Sequence, residues 1–168
     1  MPISVIQAAS TNFDSGKVLQ VVSTSKTTPF TTTSSSPTDI TGMSVQITPS
    51  ATTSKVLVMF HAGLLGNTTG GQGTELYLVR DSSYIHQGDA NGSRTRVTSA
   101  RSDSNNYGVD SISFQYLDSP SSTSQLTYKV QIATQDSGTA TFLQRGDDGN
   151  ASSFPNAAAE ITVIEIGA

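Results

Sequence analysis

The sequence predicts an all-β fold, namely a jelly-roll sandwich of about 8–10 antiparallel strands that follows an extended N-terminal arm. Three observations support this fold class. Serine and threonine supply 26 and 23 of the 168 residues, and these residue types favour turns and exposed strand positions. Short apolar runs, each long enough for one strand, alternate with turn signals up to the end of the chain. No stretch has convincing helical periodicity, and no internal repeat is found.

The predicted elements follow one another in chain order. Residues 1–16 form the arm, and residues 17–168 form the jelly-roll domain. The tract 27–42 is rich in serine and threonine and contains two prolines, so it is either a linker or a long edge segment. The glycine-rich segment 66–73 and the polar stretch 88–108 are predicted to be loops, the second with one short strand. Strands are predicted at 17–25, 38–40, 43–48, 55–63, 74–80, 83–87, 109–117, 124–135, 137–145 and 156–167.

The strand KVLVMF is apolar on both faces. Side chains of a strand point alternately to its two sides, so Val56, Val58 and Phe60 share one face. Leu57 and Met59 share the other face. In a two-sheet sandwich only the side toward the core should be apolar, so the second face of this strand needs another cover.

The last predicted strand repeats this pattern. Ile161 and Val163 face one way, while Ile164 and Ile166 face the other. The simplest cover for a second apolar face is another copy of the same subunit. The alternative is that loops of the same chain bury it. The pattern therefore predicts a subunit interface, unless the chain covers its own strands.

Composition excludes several classes of partner and site. The net charge of −4 provides no electrostatic basis for binding nucleic acid. No run approaches the roughly 20 apolar residues of a membrane helix, and the stretch MPISVIQAAS has neither the basic region nor the apolar stretch of a signal peptide. Cysteine is absent, which excludes disulfides and thiolate metal sites. We therefore expect neither a nucleic acid nor a membrane as a partner.

No motif in the sequence indicates catalysis, so we expect no enzymatic activity, no catalytic residue and no cofactor. GxSxG and HExxH motifs are missing, and His61 and His86 lie 25 residues apart without an adjacent Cys or Glu. Asp147 and Asp148 offer oxygen ligands for Ca²⁺, but the segment lacks the glutamate of an EF-hand loop. A solvated turn is the better interpretation there, and no metal site is predicted.

Two stretches resemble structural proteins of tailed bacteriophages, many of which are tail fibres. The first is GKVLQVVSTSKTTPFTTTSSSPTDITGMSVQITPSATTSKVLVMF (16–60), which has a leading strand, a Ser/Thr tract, DITGMSVQITPS and SKVLVMF in that order. The second is ITVIEIGA (161–168), which resembles the closing strand of the same proteins. Together they cover about a third of the chain, at its two ends.

This resemblance implies a trimeric jelly roll, similar to tumour-necrosis-factor and complement globular-head domains. One sheet of each protomer then packs around a threefold axis. Neighbouring subunits would cover the second apolar faces described above, and the implied trimer-interface residues are Leu57, Met59, Ile164 and Ile166. A module of this size with a 16-residue arm is more similar to a capsid decoration protein or a short head fibre than to a tail fibre.

The expected function is therefore that of a phage virion structural protein. As a homotrimer in the virion, it would decorate or cement the capsid or form a short head fibre, with the major capsid protein as a partner. The alternative is a tail-fibre tip that binds a host-surface receptor or glycan through the loops 66–73 and 88–108. In the arm, Ile3, Val5 and Ile6 are apolar enough to add to the edge of a partner, so we predict that they dock on the particle.

Three arginines in the polar stretch form a basic cluster. Arg94, Arg96 and Arg101 supply three of the nine cations within eight residues. On a strand, Arg94 and Arg96 would share a face. They are candidates for contact with acidic groups of a capsid lattice or with phosphate on a cell-surface polysaccharide. The alternative is a solvated loop that the charges keep soluble.

Overall fold

Eleven strands in two antiparallel sheets form the part of the chain that this computed structural model describes, which comprises residues 16–102, 104–144 and 155–167. No helix in these ranges is long and apolar enough to cross a membrane. The strands are β1 (Val18–Lys26), β2 (Phe30–Thr32), β3 (Thr38–Ile47), β4 (Lys55–Asn67), β5 (Gly73–Arg80), β6 (Ser83–Ile85), β7 (Ser99–Ser102), β8 (Val109–Asp118), β9 (Leu126–Thr134), β10 (Ala140–Phe142) and β11 (Ala159–Ile166).

The strand order is that of a jelly roll. In the first sheet, sheet I, the order is β1-β11-β4-β8. β4 is longer than β11, and beyond the end of β11 the short strand β10 pairs with the same edge of β4. The short strand β2 pairs in turn with β10. In the second, sheet II, the order is β3-β9-β5, and both β6 and β7 pair with β5. The chain passes back and forth between the two sheets, so that sequence neighbours such as β4 and β5 face each other across the core. The predicted all-β sandwich is confirmed.

The core lies between the inner faces of the two sheets. Each long strand contributes alternate residues to it, as a period of two requires. Burial of each large apolar side chain contributes roughly 1.5–3 kcal/mol of transfer free energy. Among the fully buried side chains are Val56 and Val58 of β4, Ile161 and Val163 of β11, Leu76 and Leu78 of β5, and Tyr128, Val130 and Ile132 of β9.

The structure decides one open alternative and changes the bounds of two predicted strands. The Ser/Thr tract is an edge segment and not a linker, because β2 lies within it and Phe30 packs on the core. β3 joins the two strands predicted at 38–40 and 43–48, since a bulge with Gly42 at φ 81° lets the chain continue along β9. The strand predicted at 137–145 is reduced to the three residues of β10.

Two ion pairs attach the edge strand β8 to sheet II. Near its end, Asp118 accepts hydrogen bonds from Arg80 of β5 and Tyr128 of β9, both at 2.6 Å. Near its start, Asp110 accepts one from Arg101 of β7 at 2.7 Å. Burial, followed by the bond to Asp118, raises the pKa of Tyr128, so this tyrosine stays a neutral donor. β8 is therefore held at both ends against the opposite sheet.

Candidate functional site

Four apolar side chains form one row across the outer face of sheet I. Val21 of β1 lies opposite Ile164 of β11, Ile164 lies opposite Leu57 of β4, and Leu57 lies opposite Leu117 of β8. Side chains that are paired across strands stand side by side on the same face. Val21 and Leu117 are 59% and 52% exposed, which is unusual for residues of their size. We call Val21, Ile164, Leu57 and Leu117 the apolar row.

Apolar side chains extend the row in both directions along the strands. On one side Ile166 pairs with Val18, and Leu19 bulges out next to it; both residues of β1 are exposed. On the other side Met59, also exposed, lies between Thr162 and Gln115. The structure thus brings all four predicted interface residues, Leu57, Met59, Ile164 and Ile166, to one continuous face. That another subunit covers this face remains a prediction.

The far end of the same face is polar. Glu160 of β11 pairs with His61 of β4, and His61 pairs with Ser113 of β8. The Glu160 carboxylate accepts hydrogen bonds from Ser25 and Thr162 at 3.1 and 2.8 Å. An open recess of about 650 Å³ lies between this polar end and Met59. The outer face of sheet I therefore has an apolar half and a polar half.

A buried carboxylate fixes the strand that carries Ile164 and Ile166. Glu165 is 1% exposed, and its side chain points away from them into the protein. It accepts hydrogen bonds from the backbone N–H and the hydroxyl of Ser50, from the hydroxyl of Ser54 and from the amide of Gln20, all at 2.6–2.7 Å. Burial alone would raise the pKa of Glu165, but the bonds from Ser50, Gln20 and Ser54 outweigh it and lower the pKa to about 2.

The apolar cluster on the outer face of sheet II is covered by the chain itself. Tyr77, Val79 and Ala133 form a small buried cluster on that face, and Val97 of the polar loop packs against it. The explanation that loops of the same chain cover apolar outer residues therefore applies to sheet II. It does not apply to Val21, Met59 and Leu117 on sheet I, which are exposed.

The three arginines of the basic cluster do not act as one exposed group. The segment that holds Arg94 and Arg96 is not a strand, so these two residues do not share a strand face. The guanidinium of Arg96 donates to the carbonyl of Gly88 at 2.7 Å. Arg101 is 7% exposed and paired with Asp110, so its side chain is unsuited to the contact predicted for it. Arg94 and Arg96 remain exposed on the loop.

The two histidines have different surroundings. The ring of His86 stacks on Tyr116 at a centroid distance of 4.7 Å, whereas His61 is exposed on the outer face of sheet I. Within residues 16–102, 104–144 and 155–167, no group of three or more His, Asp or Glu residues is placed to hold a metal ion. Asp147 and Asp148 lie outside the described residues.

The predicted docking residues Ile3, Val5 and Ile6 also lie outside the described residues, as does the arm as far as residue 15. The described chain begins at Gly16, whose N–H donates to the carbonyl of Gly167 just after β11. The arm thus joins the domain beside Val18 and Ile166, at the apolar end of sheet I.

Val21 and Leu117 belong to the apolar row but were not among the predicted interface residues. Val21 and Leu117 each follow or precede another apolar residue, in LQVV and FQYL, and such pairs place one side chain on either face of a strand. That signal was available for both strands. The local pattern does not contain the strand order, and it is this order that puts β1 and β8 at opposite ends of the same row.

No family model matches this chain, and no curated protein sequence matches it. Among solved structures it is similar to chains of infectious bursal disease virus: the Gt strain, the VP2 subviral particle and the Gx strain. The sequence identities are 16%, 15% and 16%, and the TM-scores are 0.44, 0.42 and 0.41. Each match covers 91% of this chain but only 39%, 38% and 41% of the viral chain. This chain thus spans about two-fifths of the length of these viral chains.

Proposed function

We propose that this chain is a virion structural protein that assembles as a homotrimer through the outer face of sheet I. In this role it decorates or cements a phage capsid or forms a short head fibre. The observation that carries the proposal is the apolar row, because Val21 and Leu117 at its two ends are more than half exposed in the single chain. Contiguous exposed apolar surface of this kind marks a protein interaction site.

The hydrophobic gain from covering the apolar row is comparable with the free-energy cost of association. Covering a fully exposed residue of this type contributes roughly 1.5–3 kcal/mol, so covering the half-exposed Val18, Val21, Met59 and Leu117 contributes about half of that for each residue. The loss of translational and rotational freedom opposes association by about 4 kcal/mol or more. The two terms are of similar size, so the polar half of the face must also fit its partner.

The threefold arrangement and the phage setting are supported by the resemblance of residues 16–60 and 161–168 to tailed-phage structural proteins. No family model matches the chain, so membership of the phage family is itself part of the proposal. In a closed trimer two patches of this face on each subunit contact the two neighbours, and closure of the ring removes the apolar row from water without leading to open filaments.

The assembly surface is tested by placing a charge in it. Met59→Glu and Ile164→Glu should each shift the protein from trimer to monomer, because an unpaired buried charge costs several kcal/mol. Gln46→Glu, at an exposed position of β3 on sheet II, is the matched control and should remain trimeric. Sedimentation velocity at micromolar concentration measures the change. A monomeric wild type, or trimers of both interface variants, would contradict the proposal.

The virion role is tested separately from the oligomeric state. Cryo-electron microscopy of intact particles should show threefold density on the capsid surface that accommodates this domain, with sheet I toward the threefold axis. Density at the tip of a tail fibre would instead support the receptor-binding alternative. Particles that lack the protein altogether would overturn both.

A further inference from the structure

A second surface, on the outer face of sheet II, contains a recess of about 350 Å³. It lies where the start of β5 and the end of β7 pair, and the polar loop forms one wall through Arg94 and Val97. Its volume is at the lower end of the range for small-molecule sites. The recess and the apolar row are on opposite sides of the sandwich, so burial of sheet I in a trimer would leave the recess open.

Three polar side chains that line this recess keep hydrogen-bonding capacity for a ligand. Glu75 accepts a hydrogen bond from Tyr77 on its Oε2 at 2.6 Å, while its Oε1 has no hydrogen-bond partner among the described residues. The guanidinium of Arg94 has no partner in that part of the chain either, and the same holds for the side-chain amide of Gln135. Arg96 and Arg101 differ, because Gly88 and Asp110 bind their guanidinium groups.

The backbone shapes the floor of the site. Gly73 faces the recess, and a β-carbon there would come within 2.7 Å of the Gln135 side chain and 3.3 Å of the Arg101 carbonyl. The absence of a side chain at Gly73 therefore lets the Gln135 side chain lie against the floor of the recess. Val97 and Ala100 supply the apolar part of the lining. A few convergent polar groups on a partly apolar floor are typical of a small-molecule site.

We propose that this recess binds one unit of an acidic saccharide. The Arg94 guanidinium would pair with a carboxylate or phosphate of the sugar, since its planar donors match both groups. Oε1 of Glu75 accepts from a sugar hydroxyl, and the Gln135 amide both donates and accepts. The negative charge of Glu75 repels a small anion such as free phosphate. A ligand that also carries hydroxyl groups can donate a hydrogen bond to this carboxylate while its negative group pairs with Arg94. The inference goes beyond the assembly role and does not require the trimer.

The experiment is an NMR titration of the ¹⁵N-labelled protein with four probes. The probes are methyl glucuronide, glucose 6-phosphate, uncharged methyl glucoside and inorganic phosphate. We expect at least one of the two acidic sugars to shift the amide resonances of residues 73–75, 94–100 and 135, and the two acidic probes distinguish a uronate from a sugar phosphate. Methyl glucoside and inorganic phosphate should bind at least tenfold more weakly. If neither acidic sugar shifts these resonances, or if inorganic phosphate binds as well as they do, the proposal fails.

Variants then test the assignment of the side chains. Arg94→Ala and Gln135→Ala should each weaken binding of the acidic sugar about tenfold, whereas Arg96→Ala, two residues away from Arg94 on the same loop, should leave it unchanged. Equal losses for Arg94→Ala and Arg96→Ala would indicate a general charge effect and overturn the site. Sedimentation of the same variants reports the oligomeric state, so a failed recess and a failed trimer give different results.

Discussion

At the scale of single residues, Glu165 shows how a polar side chain can support an apolar surface. It points inward from β11, between the outward side chains of Ile164 and Ile166. Its four hydrogen bonds connect β1 and the segment between β3 and β4 to the last strand. A buried carboxylate is tolerated only when such donors replace water. The position of the two isoleucines on the outer face therefore depends on a polar contact on the opposite side of their strand.

The first prediction concerns this carboxylate. Glu165→Gln should lower the free energy of unfolding by about 1–3 kcal/mol. The side-chain NH₂ of glutamine cannot accept hydrogen bonds, so some of the N–H and O–H donors that now bind the carboxylate would lose their acceptor. The folded-state pKa of about 2 lies below the ordinary 4.5, so Glu165 contributes stability that is complete above about pH 4.5 and is lost as the pH falls toward 2. Wild type should therefore lose more stability over that interval than the variant does.

Urea unfolding at neutral pH and at about pH 3 measures both effects. Glu160→Gln is the matched control, since Glu160 lies on the same strand but is exposed. We expect the control to unfold like wild type at neutral pH. Equal stability of the two variants would show that the Glu165 contacts do not hold β11.

At the scale of elements, β8 is an edge strand that side-chain contacts connect to the opposite sheet. It pairs with β4 alone, and it carries Leu117 of the apolar row on one face and Phe114 on the other. Phe114 stacks on Phe60 at a centroid distance of 4.8 Å. Asp118 and Asp110 tie its two ends to sheet II. An edge strand fixed in this way can carry an exposed leucine without separating from its sheet.

The second prediction compares two ion pairs by double-mutant cycles. The coupling of Arg80 with Asp118 should be about 1–3 kcal/mol, because the Asp118 side chain is only 6% exposed. The coupling of Lys129 with Asp39, whose side chain is 57% exposed, should be about 0.2–1 kcal/mol. Alanine replacements and chemical unfolding provide both cycles. Equal coupling energies would mean that burial at the end of β8 adds nothing to the pair.

At the scale of the whole molecule, the two outer faces of the sandwich differ in whether their apolar side chains are covered. The chain covers the apolar cluster of sheet II with its own polar loop through Val97. On sheet I the apolar row stays exposed, and the N-terminal arm joins the domain beside it at Gly16. One outer face thus leaves large apolar side chains exposed, while the other face covers its apolar cluster with a loop of the same chain.

The third prediction concerns the arm. Deletion of residues 2–15 should leave a folded trimer, since the apolar row lies entirely within residues 21–164. The truncated protein should no longer bind the particle if Ile3, Val5 and Ile6 dock there as predicted. Co-sedimentation with undecorated particles measures binding. A full-length variant with serine at these three positions keeps the length of the arm and so separates the effect of the apolar side chains from that of the deletion. Normal decoration by both proteins would assign attachment to the domain instead.

The sequence alone determined the fold class and the facing of individual strands. Alternation in a strand is a local property with a period of two, so KVLVMF and ITVIEI reveal two apolar faces without any knowledge of their neighbours. The same reasoning correctly placed Leu57 with Met59 and Ile164 with Ile166 on outward faces.

Only the tertiary structure decided which faces meet. Strand pairing depends on packing between residues far apart in the chain, and no local pattern encodes that β1 and β8 enclose β11 and β4 to form a single apolar row. The arginines show the same limit: three charges within eight residues look alike in the sequence. Folding turns Arg101 toward Asp110, binds Arg96 to Gly88 and leaves Arg94 beside Glu75, because loop conformation follows the sheets beneath it and not a periodic pattern.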